Sequence, residues 1–426
     1  MQEPAPGHGL TAPPSVYEVG GQRFETASRG FAEAIADAHA AHHRPRCMCL
    51  VDGVEMYVAR LAGANEGVIV KRLPNTGSHH APDCPSYEPP AESSGLGQVL
   101  GSAITEDPTT GETTLKLDFS MSKIAGRSAM PITGGDCDSV ASSGTKLSLR
   151  GLLHYLWDQA DLTRWQPGFA DKRTWSTVRK HLLLAAENKI ARGDSLRSRL
   201  YIPELFSVDQ RDAINARRMA QWSQAIAAPG KPQRLMLLIA EVKELVPARY
   251  GFKAVVKHVP DQALVLDEQL YRRLGRRFES ELALWGAAED THMVMIATFS
   301  VAATGIPTIV ELSLMLVTRH WLPVEDGFEK QLIERLVADG RSFVKGLRYN
   351  LSAGSAVASA TLTDCEGSAP LLFVVPAGIE DSGRYLQVCD PSAPVWLWKP
   401  SSEAMPSLPP RHPHHPRAAE SAVECR

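Results

Sequence analysis

The chain has 426 residues, 44% of them hydrophobic and 22% charged, with a formal net charge of −3. That length exceeds one ordinary core and leads us to expect two or three domains, while the near-neutral charge excludes a global field that would draw the protein onto nucleic acid or acidic lipid. The longest apolar runs, near 235–240 and 293–303, are too short and too interrupted to span a bilayer, so no membrane association is expected.

Residues 1–14 are rich in Pro and Gly and are expected to be disordered. Val16-Tyr-Glu-Val19, Gly20-Gly21 and Gln22-Arg-Phe-Glu25 spell a hairpin with a Gly-Gly turn. Ser28 is placed to cap a helix that runs to about residue 42. A second hairpin is expected from 46–51 and 54–61 across Asp52-Gly53, followed by a strand at 67–73. Strands at 99–105 and 113–120 complete an antiparallel β module over 15–133, and the Gly/Ser-rich stretch 134–146 reads as a linker. Helical spacing of apolar residues then recurs at 147–160, 174–191 and 205–227, giving a helical, locally basic region over 147–230. Strands return from residue 231, with helices near 267–285 and 325–340, in the order β-β-α-β-β-α-β-β-β up to residue 399. Residues 400–426 read as a disordered tail. The expected fold class is therefore α+β: an N-terminal antiparallel β module, a central helical region, and a C-terminal mixed or antiparallel sheet with helices.

The strongest chemical signal lies in the first module. Cys47-Met48-Cys49 and His80-Ala-Pro-Asp-Cys84 offer three thiols and one imidazole in two tight pairs. Four such nitrogen and sulfur ligands suit tetrahedral Zn²⁺, and four protein ligands suit a structural rather than a catalytic ion. On a strand, the two-residue offset of Cys47 and Cys49 would point both side chains to one face. His79 is an alternative to His80, and buried cysteines acting as small apolar residues are the plain alternative to a metal site. Seven cysteines, an odd number without a secretory leader, point to a reducing cytoplasm rather than to a disulfide framework.

Two weaker signals follow. Residues 150–199 hold ten Lys or Arg against five Asp or Glu, and Arg164, Lys172, Arg173, Arg179 and Lys180 lie among Trp165 and Trp175. Such a patch on a helix pair would contact DNA phosphates, although both tryptophans also suit a core. Glu241-Val-Lys243, with Asp364 as a partner carboxylate, matches the carboxylate-and-lysine set of metal-dependent nucleases, although a Glu-x-Lys arises readily by chance.

Leu149-Arg-Gly-Leu-Leu-His-Tyr-Leu-Trp157, Arg164-Trp165, Lys172-Arg-Thr-Trp-Ser-Thr-Val-Arg179 and Leu200-Tyr-Ile-Pro-Glu204 form a distinctive set of words. With the Cys-x-Cys and His80 to Cys84 runs, Ser86-Tyr-Glu-Pro-Pro90 and Phe343-Val-Lys-Gly-Leu-Arg-Tyr-Asn350, the chain resembles the family called domain of unknown function 1173 over roughly residues 40 to 400. The resemblance implies a bacterial protein often carried on integrative or conjugative elements, and it brings no activity and no catalytic residues. The resulting expectation is a cytoplasmic, zinc-binding accessory protein acting on or near DNA of a mobile element. Its partners would be nucleic acid and other mobile-element proteins. A metal-dependent nuclease or other phosphodiester hydrolase working from the C-terminal sheet is the rival reading, and a protein-interaction scaffold is the third.

Overall fold

The computed structural model describes residues 15–413 apart from 62–66, 75, 109, 124–143, 229, 250, 353, 379–382, 388 and 390–392. The expected disordered start at 1–14, most of the expected linker and the last residues of the expected tail lie outside the described residues.

The first module is a five-stranded antiparallel sheet in the spatial order Gln22–Glu25, Val16–Val19, Arg46–Cys47, Val54–Leu61, Gly67–Arg72. Its opening hairpin turns at Gly20 and Gly21, both at positive φ, as a two-residue turn between right-twisted strands requires. The helix that follows spans Phe31–Ala40 and starts after Gly30; Ser28 does not cap it, because its hydroxyl donates to the carbonyl of Glu25 instead. Tyr17, Val19, Ile35, Met56 and Val58 form a small core shared with Cys47 and Cys84.

The largest sheet closes on itself. Met236–Pro247 pairs with Phe252–Val256 on one side and Thr291–Val301 on the other. Pairing then continues through Leu264–Leu266 and Pro307–Thr318 back to Thr291–Val301, with one parallel pair, Val265↔Thr308, completing the ring. The expected mixed, largely antiparallel sheet is present, and its ends meet. Irregular register at Val242/Glu244 and at Thr298/Phe299 marks bulges, which bend strands enough for a sheet to curl.

One face of this ring carries Leu238, Ala240, Val256, Leu264, Met295 and Leu314, in a core that extends to Leu332, Ile333 and Leu336 of the helix Gly327–Ala338. The opposite face carries Leu237, Ile239, Val294, Ile296, Met315 and Val317. It is covered by Leu152 and Leu156 of the helix Leu149–Gln159 and by Val178 and Leu182 of the helix Trp175–Ala185. Burial on both faces explains why these strands read as unbroken apolar runs rather than as alternation. Each buried leucine of this kind contributes roughly 1.5–3 kcal/mol.

The central helices pack on this sheet, and strand pairs cross the expected limits at residues 146 and 230. Leu200–Tyr201 adds to the edge of Met236–Pro247, Lys189–Ala191 pairs with Thr113–Leu115, and Arg164–Trp165 pairs with Phe343–Lys345. That last pairing joins a second five-stranded sheet, completed by Ala360–Leu362, Leu371–Val374 and Val395–Trp398. The expected tail is also corrected over residues 400–413. Met405 and Leu408 pack on the main core, and the Trp396 indole N–H donates to the carbonyl of Ser407 at 3.0 Å. Among the described residues no helix is long and apolar enough to cross a membrane.

Candidate metal centre

Cys47 ends its short strand opposite Val54, so Cys49 stands in the connecting turn and not on the strand. The turn, rather than the alternation of a strand, brings the two sulfurs together. It is held by Arg46, whose guanidinium donates to the carbonyls of Asp52 and Gly53, and by Gly53 at φ +63. A Cβ at Gly53 would lie 3.0 Å from Met48 Sδ, so both the backbone sign and the space call for glycine.

The second pair comes from a turn in which the Cys84 N–H donates to the Ala81 carbonyl at 2.9 Å and the Tyr87 N–H donates to the Cys84 carbonyl at 3.0 Å. His80 is buried beside the sulfurs and His79 is exposed, so the geometry selects His80.

The four ligand atoms lie within 4.8 Å of one another, in the one such group among the described residues. Cys47 Sγ is 3.7 Å from Cys84 Sγ, and His80 Nδ1 is 3.4 Å from Cys49 Sγ and 3.7 Å from Cys84 Sγ. For Zn–S of about 2.3 Å and Zn–N of about 2.0 Å, the edges of a tetrahedron are about 3.8 Å between sulfurs and about 3.5 Å between sulfur and nitrogen. The spacing fits an ion of that size. His80 faces the sulfurs with Nδ1, and its Nε2 is buried without a hydrogen-bond partner.

Backbone donors serve the sulfurs. The Ala81 N–H points at Cys49 Sγ from 3.5 Å, and the Ser86 N–H at Cys84 Sγ from 3.4 Å. Such donors favour thiolates and orient metal ligands. The hydrogen bond from the Cys47 thiol, helped by His80, lowers Cys84 to about 4, and its counterpart pushes Cys47 up. Burial raises Cys49. One sulfur can thus ionise unaided, whereas three ionised neighbours need a cation among them. Arg72 ties the site to its own sheet: it pairs with Glu88 and reaches the Ser86 carbonyl.

The other singled-out residues have different roles. Arg173 is buried, donates to the carbonyls of Asp161, Leu162 and Arg164, and lies 5.3 Å from the Trp165 ring. Arg179 Nε donates to the Ile202 carbonyl at 3.0 Å, and Arg164 donates to the Tyr87 carbonyl. Only Lys172 and Lys180 of the five are exposed, so they form no continuous basic face, and both Trp165 and Trp175 are core.

Glu241, Lys243 and Asp364 are not assembled as one site. Glu241 accepts from Lys257 and His292, Lys243 is exposed, and Asp364 follows a strand of the other sheet. There Arg341 grips the Asp364 carboxylate at 2.7 and 2.9 Å, Ser342 N–H donates at 2.9 Å, and Arg411 approaches to 3.3 Å. Burial raises the Asp364 carboxyl, but these donors and charges outweigh it and leave it below the usual range. Sequence reasoning missed the backbone donors at Ala81 and Ser86, which leave no trace in residue identity, and the cations facing Glu241, which come from other strands.

No curated protein and no solved structure matched the chain. A family model described as "Protein of unknown function (DUF1173)" matches residues 17–401, which include the whole metal centre. The chain belongs to that family.

Proposed function

We propose that this is a zinc-binding accessory protein in which Cys47, Cys49, His80 and Cys84 hold one structural Zn²⁺. The observation that carries the reading is the match between the ligand-atom separations and the edges of a zinc tetrahedron. Four protein ligands close the coordination sphere, whereas a catalytic ion keeps a position for water. The ion would staple the turn after Arg46–Cys47 to the turn before Tyr87, in a module whose own apolar core is small. Metal analysis of the purified chain tests this. One zinc per chain is expected, lost in Cys47→Ser and in Cys84→Ser together with the folded N-terminal module. Wild-type protein without stoichiometric metal would sink the reading.

An association with DNA of a mobile element draws its support only from exposed Lys172 and Lys180. Its test is duplex binding that weakens steeply with salt and is lost in the Lys172→Ala, Lys180→Ala double variant.

A further inference from the structure

We propose that His292, held by Glu241, is a catalytic general base for hydrolysis of esters that carry a negative charge, with Lys257 receiving that charge. This goes beyond the zinc reading and uses none of the metal ligands.

Three strands of the closed sheet build the group. Glu241 lies in Met236–Pro247, Lys257 follows Phe252–Val256, and His292 is the second residue of Thr291–Val301. The Glu241 carboxylate is buried, and its Oε1 accepts from His292 Nδ1 at 2.6 Å and from Lys257 Nζ at 2.5 Å. Nδ1 faces the carboxylate and so carries the proton of the neutral ring. The lone pair therefore sits on Nε2, which has no hydrogen-bond partner among the described residues. The His292 side chain is 25% exposed and that of Lys257 is 45% exposed, so both reach solvent while Glu241 does not. A buried carboxylate behind an imidazole with its far nitrogen free is the arrangement that general-base histidines use.

The ring is also fixed from its face. His292 stacks on Trp321 at 4.4 Å and 7°. Trp321 packs against Trp175 at 5.6 Å, and Trp175 in turn stacks with His258 at 5.9 Å. Trp321 and His258 hold φ of +61 and +67, a backbone region that bulky side chains rarely adopt. Of the two, Trp321 stacks directly on His292, so its backbone strain falls on the residue that sets the orientation of the ring. Their positions are locked: Trp157 Nε1 donates to the Trp321 carbonyl, the Phe206 N–H donates to His258 Nδ1, and Trp175 Nε1 donates to the Pro203 carbonyl. An ion pair of Glu241 with Lys257 alone would need none of this.

In the proposed step, Nε2 takes a proton from water as the water oxygen bonds to the carbonyl carbon or phosphorus of the ester. The imidazolium, stabilised by Glu241, then returns that proton to the leaving oxygen as its bond breaks. Acid and alcohol are the products, and the histidine is regenerated. Lys257, with exposed Arg319 in the turn that carries Trp321, favours an anionic substrate.

The test uses the full chain with its metal and three probes: mono-4-nitrophenyl glutarate, bis(4-nitrophenyl) phosphate and, as a neutral reference, 4-nitrophenyl acetate. Release of nitrophenol from at least one anionic ester is expected to fall by about tenfold or more in His292→Asn and in Glu241→Gln. Lys257→Ala should raise KM for the anionic ester by more than it raises KM for the acetate. The ester that is cleaved tells whether the site acts on acyl or phosphoryl groups. Unchanged zinc content and circular dichroism in His292→Asn separate this outcome from failure of the metal reading. If that variant does not fold, carbethoxylation of His292 in the wild-type protein must abolish release in its place. Cleavage of both anionic esters no faster by wild type than by His292→Asn, or by protein carbethoxylated at His292, overturns the proposal.

Discussion

Lys189 shows how a single buried charge sets a measurable property. Its ammonium donates to Thr113 Oγ1 at 3.3 Å and lies 5.7 Å from the Tyr155 ring, with no carboxylate paired to it among the described residues. Burial lowers it to about 8. The unfolded chain, where lysine titrates near about 10.4, binds the extra proton between those values. The resulting cost to folding is full below about pH 8 and fades as pH rises towards about 10.4. Lys189→Met is therefore expected to stabilise the protein by about 1–3 kcal/mol at pH 7, with the gain shrinking towards pH 10. Denaturant unfolding at the two pH values checks this. A second residue-scale outcome concerns the adjacent imidazoles: His80→Ala should lose the metal and His79→Ala should keep it, read by metal content. The metal ligands were legible because they sit in two short words of the sequence. Asp364 and Arg173 were not, because their partners are set by tertiary packing: Arg341 is 23 residues from Asp364. Each looked available for chemistry and instead completes a buried hydrogen-bond set.

Among the elements, the closest fit is at Gly346, just past the strand Phe343–Lys345. A Cβ there would lie 1.9 Å from the Ala358 carbonyl oxygen, part of a backbone crossing also held by the Gly346 N–H to the Ser359 carbonyl. A backbone oxygen cannot swing aside as a side-chain tip can. Gly346→Ala is expected to cost about 3 kcal/mol, measured by chemical unfolding. Turn glycines and apolar runs made most strands readable, including the opening hairpin and the long strands from Met236 and Thr291. Ring closure was not readable. It depends on one parallel pair, Val265↔Thr308, and on bulges that carry no residue signature. The split of one expected helix into Glu268–Arg277 and Glu279–Ala287 likewise reflects Phe278 turning into the core.

At the level of the whole molecule, the segment after Trp398 closes the body. Arg341 donates to the Pro409 carbonyl at 2.8 Å, the His412 N–H donates to the Asp364 carbonyl at 2.8 Å, and Met405 and Leu408 cover the core. A chain ending at Lys399 should unfold at lower temperature and be cleaved faster by protease, while one ending at Pro413 should match the full chain in both assays. Composition hid this docking, because Pro-rich segments without periodicity read as tails, and only the partners waiting at Asp364 and Arg341 reveal an ordered path.

The two parts of the molecule also differ in how far apart in sequence their contacts lie. The metal ligands and the core around them fall mostly between Tyr17 and Tyr87. The main core joins Trp165 to Trp398 and is finished by Leu408. During synthesis the first module can therefore gather the four proposed ligands early, while the ring waits for the strand that ends at Thr318 and the second sheet for the strand that ends at Trp398. Metal shortage and late truncation should then injure the nascent protein at opposite ends and at different times.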